Sequence, residues 1–529
     1  MKSTDCTPRE RIQTRISRAV DTLLLMAIGA AIGVVVSLFE VVFAYGVQFF
    51  DGVHNNYGGS LWLLTLPLAG VAMTAMFAYL GRKSKQGMSL IFKINQGIES
   101  EIPKRTVSLM AISTWLSHLA GASVGKEGVG MQIGATVSHV ITRNVPRLKE
   151  QKTIFLITGM AAGFAGLFGT PFTAVFFAME VLVSGLIEFR ALAPSITAAL
   201  CASSVSALLG LNKEAYPLLL TFGFDPAGQG WKLLLLGMIF GIVGATFARC
   251  LRFFHHLLEE KVPNAYWRIA IGSIGLGLFL WLCMDGRYGG GGTNLIEAAC
   301  TGQTIYAWDF ALKFILTIFS LAIGFIGGEV TPLFAIGASL GAVLGPLFGL
   351  PSTFCAALGY AAVFGAGTNT WLASMIIGME IFGFQYFPFF FVVCSIAYLF
   401  NGGFSIYALQ RNLAPAFHKS DYPQSIEAAN EQVEEEIIQR EKQKLVHKPK
   451  TNPVILSRFH KSLAAASQTA LKNREHPAAN PASEPSVSGP LAADHSRTAP
   501  LGLTSSPFDQ EPDKEKEAIP DNQQKDENT

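Results

Sequence analysis

Apolar positions gather into long runs along the chain: Thr22 to Tyr45, Leu61 to Tyr79, Leu192 to Leu211, Leu233 to Ala248, Ile269 to Met284, Ala311 to Ile326 and Phe387 to Phe400. Several approach the ~20 residues with which a helix crosses the hydrocarbon core of a bilayer. Others are shorter or interrupted by Gly and Pro. Those predict half-length or re-entrant helices, whose freed backbone groups are satisfied only inside a protein bundle. The pattern as a whole predicts an all-α polytopic membrane protein with broken and re-entrant helices. The first run is too long for a secretory signal and lacks a clear small-residue cleavage site, so it reads as the first spanning helix.

Composition supports the same class. Of 529 residues, 50% are hydrophobic and 15% charged, and the mean hydropathy is +0.37, unlike an ordinary soluble domain. A formal net charge of +2 names no acidic partner, and nothing supports binding to nucleic acid. Arg9, Arg11, Arg15 and Arg18 precede the first run, so the positive-inside rule puts residues 1–18 in the cytoplasm. The cysteines Cys6, Cys201, Cys250, Cys283, Cys300, Cys355 and Cys394 have no CxxC spacing. They predict neither a disulfide framework nor a metal site, and no cofactor motif is present. Residues 418–529 open with a charged stretch suited to a surface helix. They continue rich in Pro, Ser, Ala and charge, which buries too little apolar surface to repay ordering. They are expected to form a cytoplasmic, mostly disordered tail, leaving 19–417 as the membrane domain.

That domain contains a repeat. "GMAAGFAGLFGTPFTAVFFAMEVL", from Gly159, aligns without a gap on "GYAAVFGAGTNTWLASMIIGMEIF", from Gly359, at an offset of 200. Ala161/Ala361, Ala162/Ala362, Phe164/Phe364, Thr170/Thr370, Met179/Met379 and Glu180/Glu380 are identical. Upstream lie "GKEGVGMQIGATVS" and "GGEVTPLFAIGASLG", so a glycine-flanked Glu, an IGA triplet and a GMAAG-like helix occur twice in the same order. The halves run from approximately 19 to 211 and from 232 to 417. Repeats of this kind suit a transporter or channel whose site lies between two halves near the bilayer midplane. The sequence leaves open whether the halves are inverted; an odd number of crossings per half would require it.

Three glycine-rich helix starts carry the candidate chemistry: "KQGMSLIF", "GKEGVG" and "GGEVTP". Glycine lets backbone N–H groups approach a ligand, and a helix N-terminus carries partial positive charge. Several such ends aimed at one point would bind a dehydrated anion of halide size. The bland alternative is that these glycines only permit tight helix crossing. Glu127 competes with an anion for the same N–H groups, and an intramembrane carboxylate is a functional candidate by default. It can swing away or take up a proton as an anion enters, serving as gate and proton carrier. Lys126 reads as a boundary residue that snorkels to water, and His118 as a polar helix contact. Glu329 stands in the related place of the second half, followed by Thr331 and by Pro332, which also suits a local cap. Glu180 and Glu380 read as structural.

At these residues the sequence resembles the CLC family of chloride channels and anion/proton antiporters, over roughly residues 20 to 417. "GKEGV" is similar to the family's gating motif GxEGP, which implies that Glu127 is the external gating glutamate. "GGGGTNLIEAACTG", from Gly289, resembles a GGGxNLIP-like stretch, "GEVTP" a GxFxP-type motif, and "SIYALQRNLA" places Tyr407 at the anion-coordinating tyrosine. The resemblance implies an inverted repeat and a homodimer with one anion path per subunit. Met88 stands where the family supplies a serine hydroxyl, "GEVTP" replaces the chloride-type GIFAP, and Val181 holds the place of an internal proton glutamate. Lys126 and Val129 also depart from the family's gating motif. The combination resembles the CLC-F branch of bacterial fluoride/proton antiporters. It implies anion binding by Met88, Gly125, Gly128, Glu127, Val330, Thr331 and Tyr407, and gating and proton transfer by Glu127 and Glu329. Fluoride demands hard donors to replace its water. Backbone N–H groups and the hydroxyls of Thr331 and Tyr407 are of that kind, and a protonated Glu127 would donate a strong hydrogen bond to it. The expected partners are fluoride or chloride, protons and membrane lipid, in the bacterial inner membrane with both termini cytoplasmic. A chloride channel or chloride/proton antiporter of the same fold is the nearest rival. An intramembrane enzyme built on Glu127 or His118 finds no HExxH, GxSxG or paired-Asp motif, and an assembly protein acting through its tail offers no motif.

Overall fold

In a computed structural model the described residues are 8–58, 60–149, 151–211, 215–218, 226–284 and 286–412. The chain divides into two compact units, Met1–His447 and Lys448–Thr529, and every described residue lies in the first. The expected tail, residues 418–529, lies outside the described residues, as does Cys6.

The helices are, in order, α1 (Pro8–Val53), α2 (Leu66–Leu80), α3 (Met88–Asn95), α4 (Thr106–Leu119), α5 (Glu127–Thr142), α6 (Pro146–Lys149), α7 (Lys152–Phe168), α8 (Pro171–Val181) and α9 (Leu192–Leu208) in the first half. The second half holds α10 (Pro226–Lys261), α11 (Ala265–Leu282), α12 (Thr293–Thr301), α13 (Asp309–Ile323), α14 (Val330–Leu347), α15 (Ser352–Thr368), α16 (Leu372–Phe382) and α17 (Phe387–Phe400). Two short strands, β1 (Val183–Ser184) and β2 (Arg411–Asn412), pair in parallel. The first helix of each half starts ahead of its apolar stretch. Helix α1 starts at Pro8 and α10 at Pro226, because polar and charged residues prolong each helix beyond its apolar stretch.

Among the described residues, six helical stretches are long and apolar enough to cross a membrane: Ile16–Asn56, Trp62–Leu80, Phe189–Leu208, Gly228–Lys261, Ala265–Leu282 and Val330–Leu347. Helices α7, α8, α15, α16 and α17 are apolar but shorter. Helices α7, α8, α15 and α16 are largely enclosed by their neighbours, which is how a broken helix survives at membrane depth, while α17 exposes Phe387, Phe391, Leu399 and Phe400. On α11 the exposed face reads Trp267, Ile271, Ile274, Leu278 and Trp281, an apolar band with an aromatic at each end, as a lipid boundary requires.

The packing of the first half recurs in the second. Helix α1 packs on α7 and α9, and α7 on α5; α10 packs on α15 and α17, and α15 on α14. The halves are inverted. The C-terminal end of α1, the residues leading into α2 and the end of α4 share one face: His118 meets Asp51 at 2.8 Å, and the Trp62 indole donates to the Leu119 carbonyl. Helix α2 then carries the chain to the opposite face. There Lys85 borders a cavity together with Arg252, His255 and His256, near the C-terminal end of α10. Equivalent helices α1 and α10 therefore end on opposite faces.

Two features lock the inverted halves. At the α5–α7 crossing, a Cβ on Gly134 would overlap the Gly159 carbonyl; at the α14–α15 crossing, one on Gly337 would overlap the Gly359 carbonyl. For these glycines the close-crossing explanation holds. The duplicated glutamates cap one another's half. Glu180 on α8 accepts from the N–H groups of Trp371 (2.6 Å), Leu372 (3.3 Å) and Ala373 (3.2 Å) at the start of α16. Glu380 on α16 accepts from Phe172 N–H (3.3 Å), Thr173 N–H (2.9 Å) and Thr173 Oγ1 (2.7 Å) at the start of α8. Each carboxylate satisfies N–H groups that a helix cannot pair internally and sits at the positive end of its dipole.

Candidate functional site

The start of α5 meets the start of α14. Gly125 N–H donates to Gly328 O at 2.7 Å, and Gly328 N–H returns a bond to Gly125 O at 2.6 Å. This reciprocal pair sets the register of the two halves at the site. Lys126 and Glu329 both occupy the position just before a helix, and Glu127 and Val330 both occupy its first residue. The expectation that Glu329 is the counterpart of Glu127 is thereby corrected: Glu329 is the counterpart of Lys126. The glutamate-to-IGA distance differs by one residue between the halves, whereas Gly125 and Gly328 stand equally far from Ile133 and Ile336, and the paired glycines decide which positions correspond.

Glu127 is fully buried. Its Oε2 accepts from Lys126 N–H at 3.1 Å and, across the halves, from Thr331 N–H at 3.2 Å. Its Oε1 is buried with no hydrogen-bond partner, and so is Thr331 Oγ1. Gly125 leaves room for both groups, since a Cβ there would lie 2.7 Å from Glu127 Oε2 and 2.9 Å from Thr331 Oγ1. Pro332 follows at the third position of α14, where a missing N–H costs nothing. A carboxylate thus rests on donors from two helix N-termini, the arrangement that receives an anion.

Below this point opens a cavity of about 530 Å³ lined by Met88, Gln132, Glu329 and Tyr407 together with Lys85, Arg252 and Arg268. Met88 is the first residue of α3, entered through Gly87 with φ +58°, a conformation that favours glycine. The Tyr407 ring packs on Phe92 with centroids 5.6 Å apart. Its hydroxyl is buried without a partner and within electrostatic reach of Glu329 and Glu127. Gly128 joins the two groups of residues, a Cβ there lying 3.3 Å from Gly328 Cα and 3.4 Å from Glu329 Oε2. Val330 is buried at the head of α14. Burial, with Arg268 alongside, holds the Lys85 ammonium below the usual lysine range. Glu259 also lines the cavity and lies 3.7 Å from Arg268 and 3.5 Å from His255, which leaves Lys85 and Arg252 as its other Lys and Arg side chains.

His118 forms the polar contact expected of it, with Asp51, and Lys126 is half-buried. Val181 is buried and offers only its backbone carbonyl, which accepts from Gln410 Nε2 at 2.9 Å. Among the described residues no group of three or more His, Cys, Asp or Glu is arranged to hold a metal ion.

Two buried ionisable groups inside runs counted as apolar are not anticipated from the sequence. Lys313 on α13 is fully buried and donates to Ser123 Oγ (3.0 Å), Tyr288 O (3.1 Å) and Gly290 O (2.7 Å). It ties the segment that leads into Gly125 to the glycine loop that backs Thr331, where a Cβ on Gly291 would lie 3.2 Å from Thr331 Cγ2. The other is Glu40 on α1, buried with neither oxygen hydrogen-bonded. Both sit inside runs counted as apolar, and an ion in such a run was the signal available.

An inverted helical repeat with two helix N-termini meeting around a buried carboxylate defines a membrane protein of ion transport. The chain belongs to the voltage gated chloride channel family, the CLC family, which it matches over residues 68–402. It is 32% identical over 376 residues to a chloride/fluoride channel protein of Pseudomonas syringae pv. tomato (strain ATCC BAA-871 / DC3000), covering 69% of this chain and 81% of the relative. It is similar to the crystal structure of a CLC-type fluoride/proton antiporter, with TM-score 0.72 and 43% identity over 77% of this chain and all of that one, 100%. A slow cyanobacterial Cl−/H+ antiporter shares the fold at TM-score 0.60 and 21% identity, over 72% of this chain and 96% of that chain.

Proposed function

We propose that this protein is a fluoride/proton antiporter that exports fluoride in exchange for inward protons. The observation that carries this reading is the Glu127 carboxylate held by Lys126 and Thr331 N–H groups at the meeting of two helix N-termini. A fluoride ion replacing that carboxylate would find backbone N–H groups and the Thr331 and Tyr407 hydroxyls, neither of which has a partner. These are hard donors suited to a small, strongly hydrated anion. Glu127 serves as gate and proton carrier: displaced and protonated, it gives the anion a charge-assisted donor in place of a competitor. Glu329 and Met88, on the cavity with Tyr407, stand on the route to the site, and Gly125, Gly128 and Val330 shape it. Similarity to a CLC-type fluoride/proton antiporter supports the substrate.

Two copies associate as a homodimer in the bacterial inner membrane, each with its own path. The N-terminus lies in the cytoplasm, as Arg9, Arg11, Arg15 and Arg18 indicate by the positive-inside rule, and the C-terminus is placed on the same side. The cavity, on the face where α2 ends, is then the cytoplasmic vestibule. Residues 19–417 form the transport domain and 418–529 a tail.

The test is Glu127→Gln in liposomes. Proton movement driven by a fluoride gradient falls to background while the protein remains folded. Unchanged proton coupling in that variant would remove Glu127 from the gate. The second reading, a channel carrying chloride as well, is favoured by the name of the Pseudomonas relative, a chloride/fluoride channel protein. It requires that fluoride flux carry no protons.

A further inference from the structure

Val181 stands where the resemblance places an internal glutamate, and Glu329 is the one further carboxyl so far placed on the proton path beyond Glu127. The structure offers another carboxyl. Glu40 lies within the membrane-spanning part of α1, fully buried. Three glycines make its chamber. A Cβ on Gly130 of α5 would lie 3.0 Å from Glu40 Oε2, one on Gly163 of α7 would lie 3.3 Å from Oε1, and one on Gly166 would lie 3.5 Å from the Glu40 side-chain carbons. Neither carboxyl oxygen meets a hydrogen-bond donor of the protein. An ion so placed has no counter-charge and no donor, a cost that a bound proton removes.

Position gives this carboxyl its meaning. Gly130 follows Glu127 by three residues on α5, one helical turn and ~4.5 Å of rise. The gate and Glu40 therefore flank the same first turn of the same helix, with no side chain at Gly130 between them. The other groups near α1 are accounted for. Helix α4 brings His118, already on Asp51; α5 brings Glu127 and, at its far end, His139; α7 has Lys152 at its start, and α9 has Cys201. Ser206 on α9, also beside Gly166, has a buried hydroxyl without a partner.

We propose that Glu40 is a second proton-binding site of the transport cycle, exchanging its proton with Glu127. In the exchange an O–H bond breaks at the Glu127 carboxyl and one forms at the Glu40 carboxylate, so that Glu127 is left as the anion and Glu40 neutral; the reverse step restores both. This inference rests on the antiporter reading, and wild-type protein is the control for that reading alone.

The experiment compares wild type, Glu40→Gln and Glu40→Asp in liposomes, recording fluoride efflux and proton uptake across external pH. Glu40→Gln fills the same space and remains neutral. It is expected to assemble and to lose proton uptake by ~10²-fold or more, the low end of what a positioned proton-transfer group supplies. Glu40→Asp, with a shorter carboxyl, restores proton uptake with a displaced pH profile. Glu40→Gln with wild-type proton uptake and pH profile would reduce Glu40 to a packing residue and overturn the proposal. Should Glu40→Gln fail to assemble, Glu40→Asp decides: a wild-type pH profile overturns the proposal and a displaced one supports it. Wild type that moves fluoride without protons would defeat the antiporter reading and leave nothing for Glu40 to relay.

Discussion

Gly125 has no room for a side chain beside Glu127 and Thr331. A Cβ there would approach both Glu127 Oε2 and Thr331 Oγ1 within 3 Å, at 2.7 and 2.9 Å. Gly125→Ala is therefore expected to disturb the site while costing about 1–3 kcal/mol of stability, the usual range for overpacking. The measurement is fluoride efflux beside a thermal melt in detergent, and wild-type efflux would show that the carboxylate need not occupy this spot. Glu127 was legible in the sequence because a carboxylate stood, with Lys126 beside it, among glycines and apolar residues. Glu40 and Lys313 carried the same signal in denser apolar company, and periodicity counted them into the helix. The Asp51–His118 contact links residues 67 apart in sequence, and only folding brings such a pair together.

Among the elements, the duplicated glutamates are the clearest case of sequence identity with a structural cause. Glu180 and Glu380 lie 200 residues apart because each caps the start of the other half's helix. Removing either leaves helix N–H groups without an acceptor, at about 1.5–3 kcal/mol for a hydrogen bond to a charged group. Glu180→Ala should cost more than Glu380→Ala, since Glu180 and Ala373 N–H are buried while Phe172, capped by Glu380, is 52% exposed. Thermal melts of the two variants check the order, and equal melting points would mean that burial does not set the cost. Gly359→Ala is the steric counterpart. Its Cβ would overlap the Gly337 carbonyl and lie 3.1 Å from Phe240 Cε1, so the expected outcome on size-exclusion chromatography is loss of the folded protein. The repeat itself was legible at the level of motif order. Its register at the site was obscured by matching the two glutamates, whose distance to the IGA triplet differs by one residue, six from Glu127 to Ile133 and seven from Glu329 to Ile336; the Gly125–Gly328 pair assigns Glu329 to Lys126.

For the whole molecule, inversion of the halves brings two helix N-termini, one from each half, to the same point from opposite directions. On the proposed reading that geometry would serve an anion without a fully charged ligand, and the carboxylate at the same point would link the anion to a proton. Fold and family were legible from apolar runs, the repeat and a handful of ordered motifs. Inversion was not, because hydropathy reports that a helix crosses the membrane and not the direction in which it runs. Selectivity is a property of the assembled site: Met88, Thr331 and Tyr407 come from sequence positions 243 and 76 residues apart, and their joint preference is measured only in the folded protein.

The most direct measurement is efflux from liposomes carrying the purified protein, with fluoride and chloride compared and external pH recorded. Fluoride efflux accompanied by proton uptake, with little chloride flux, is the predicted result. Chloride flux equal to or above fluoride, or fluoride flux without protons, would contradict it.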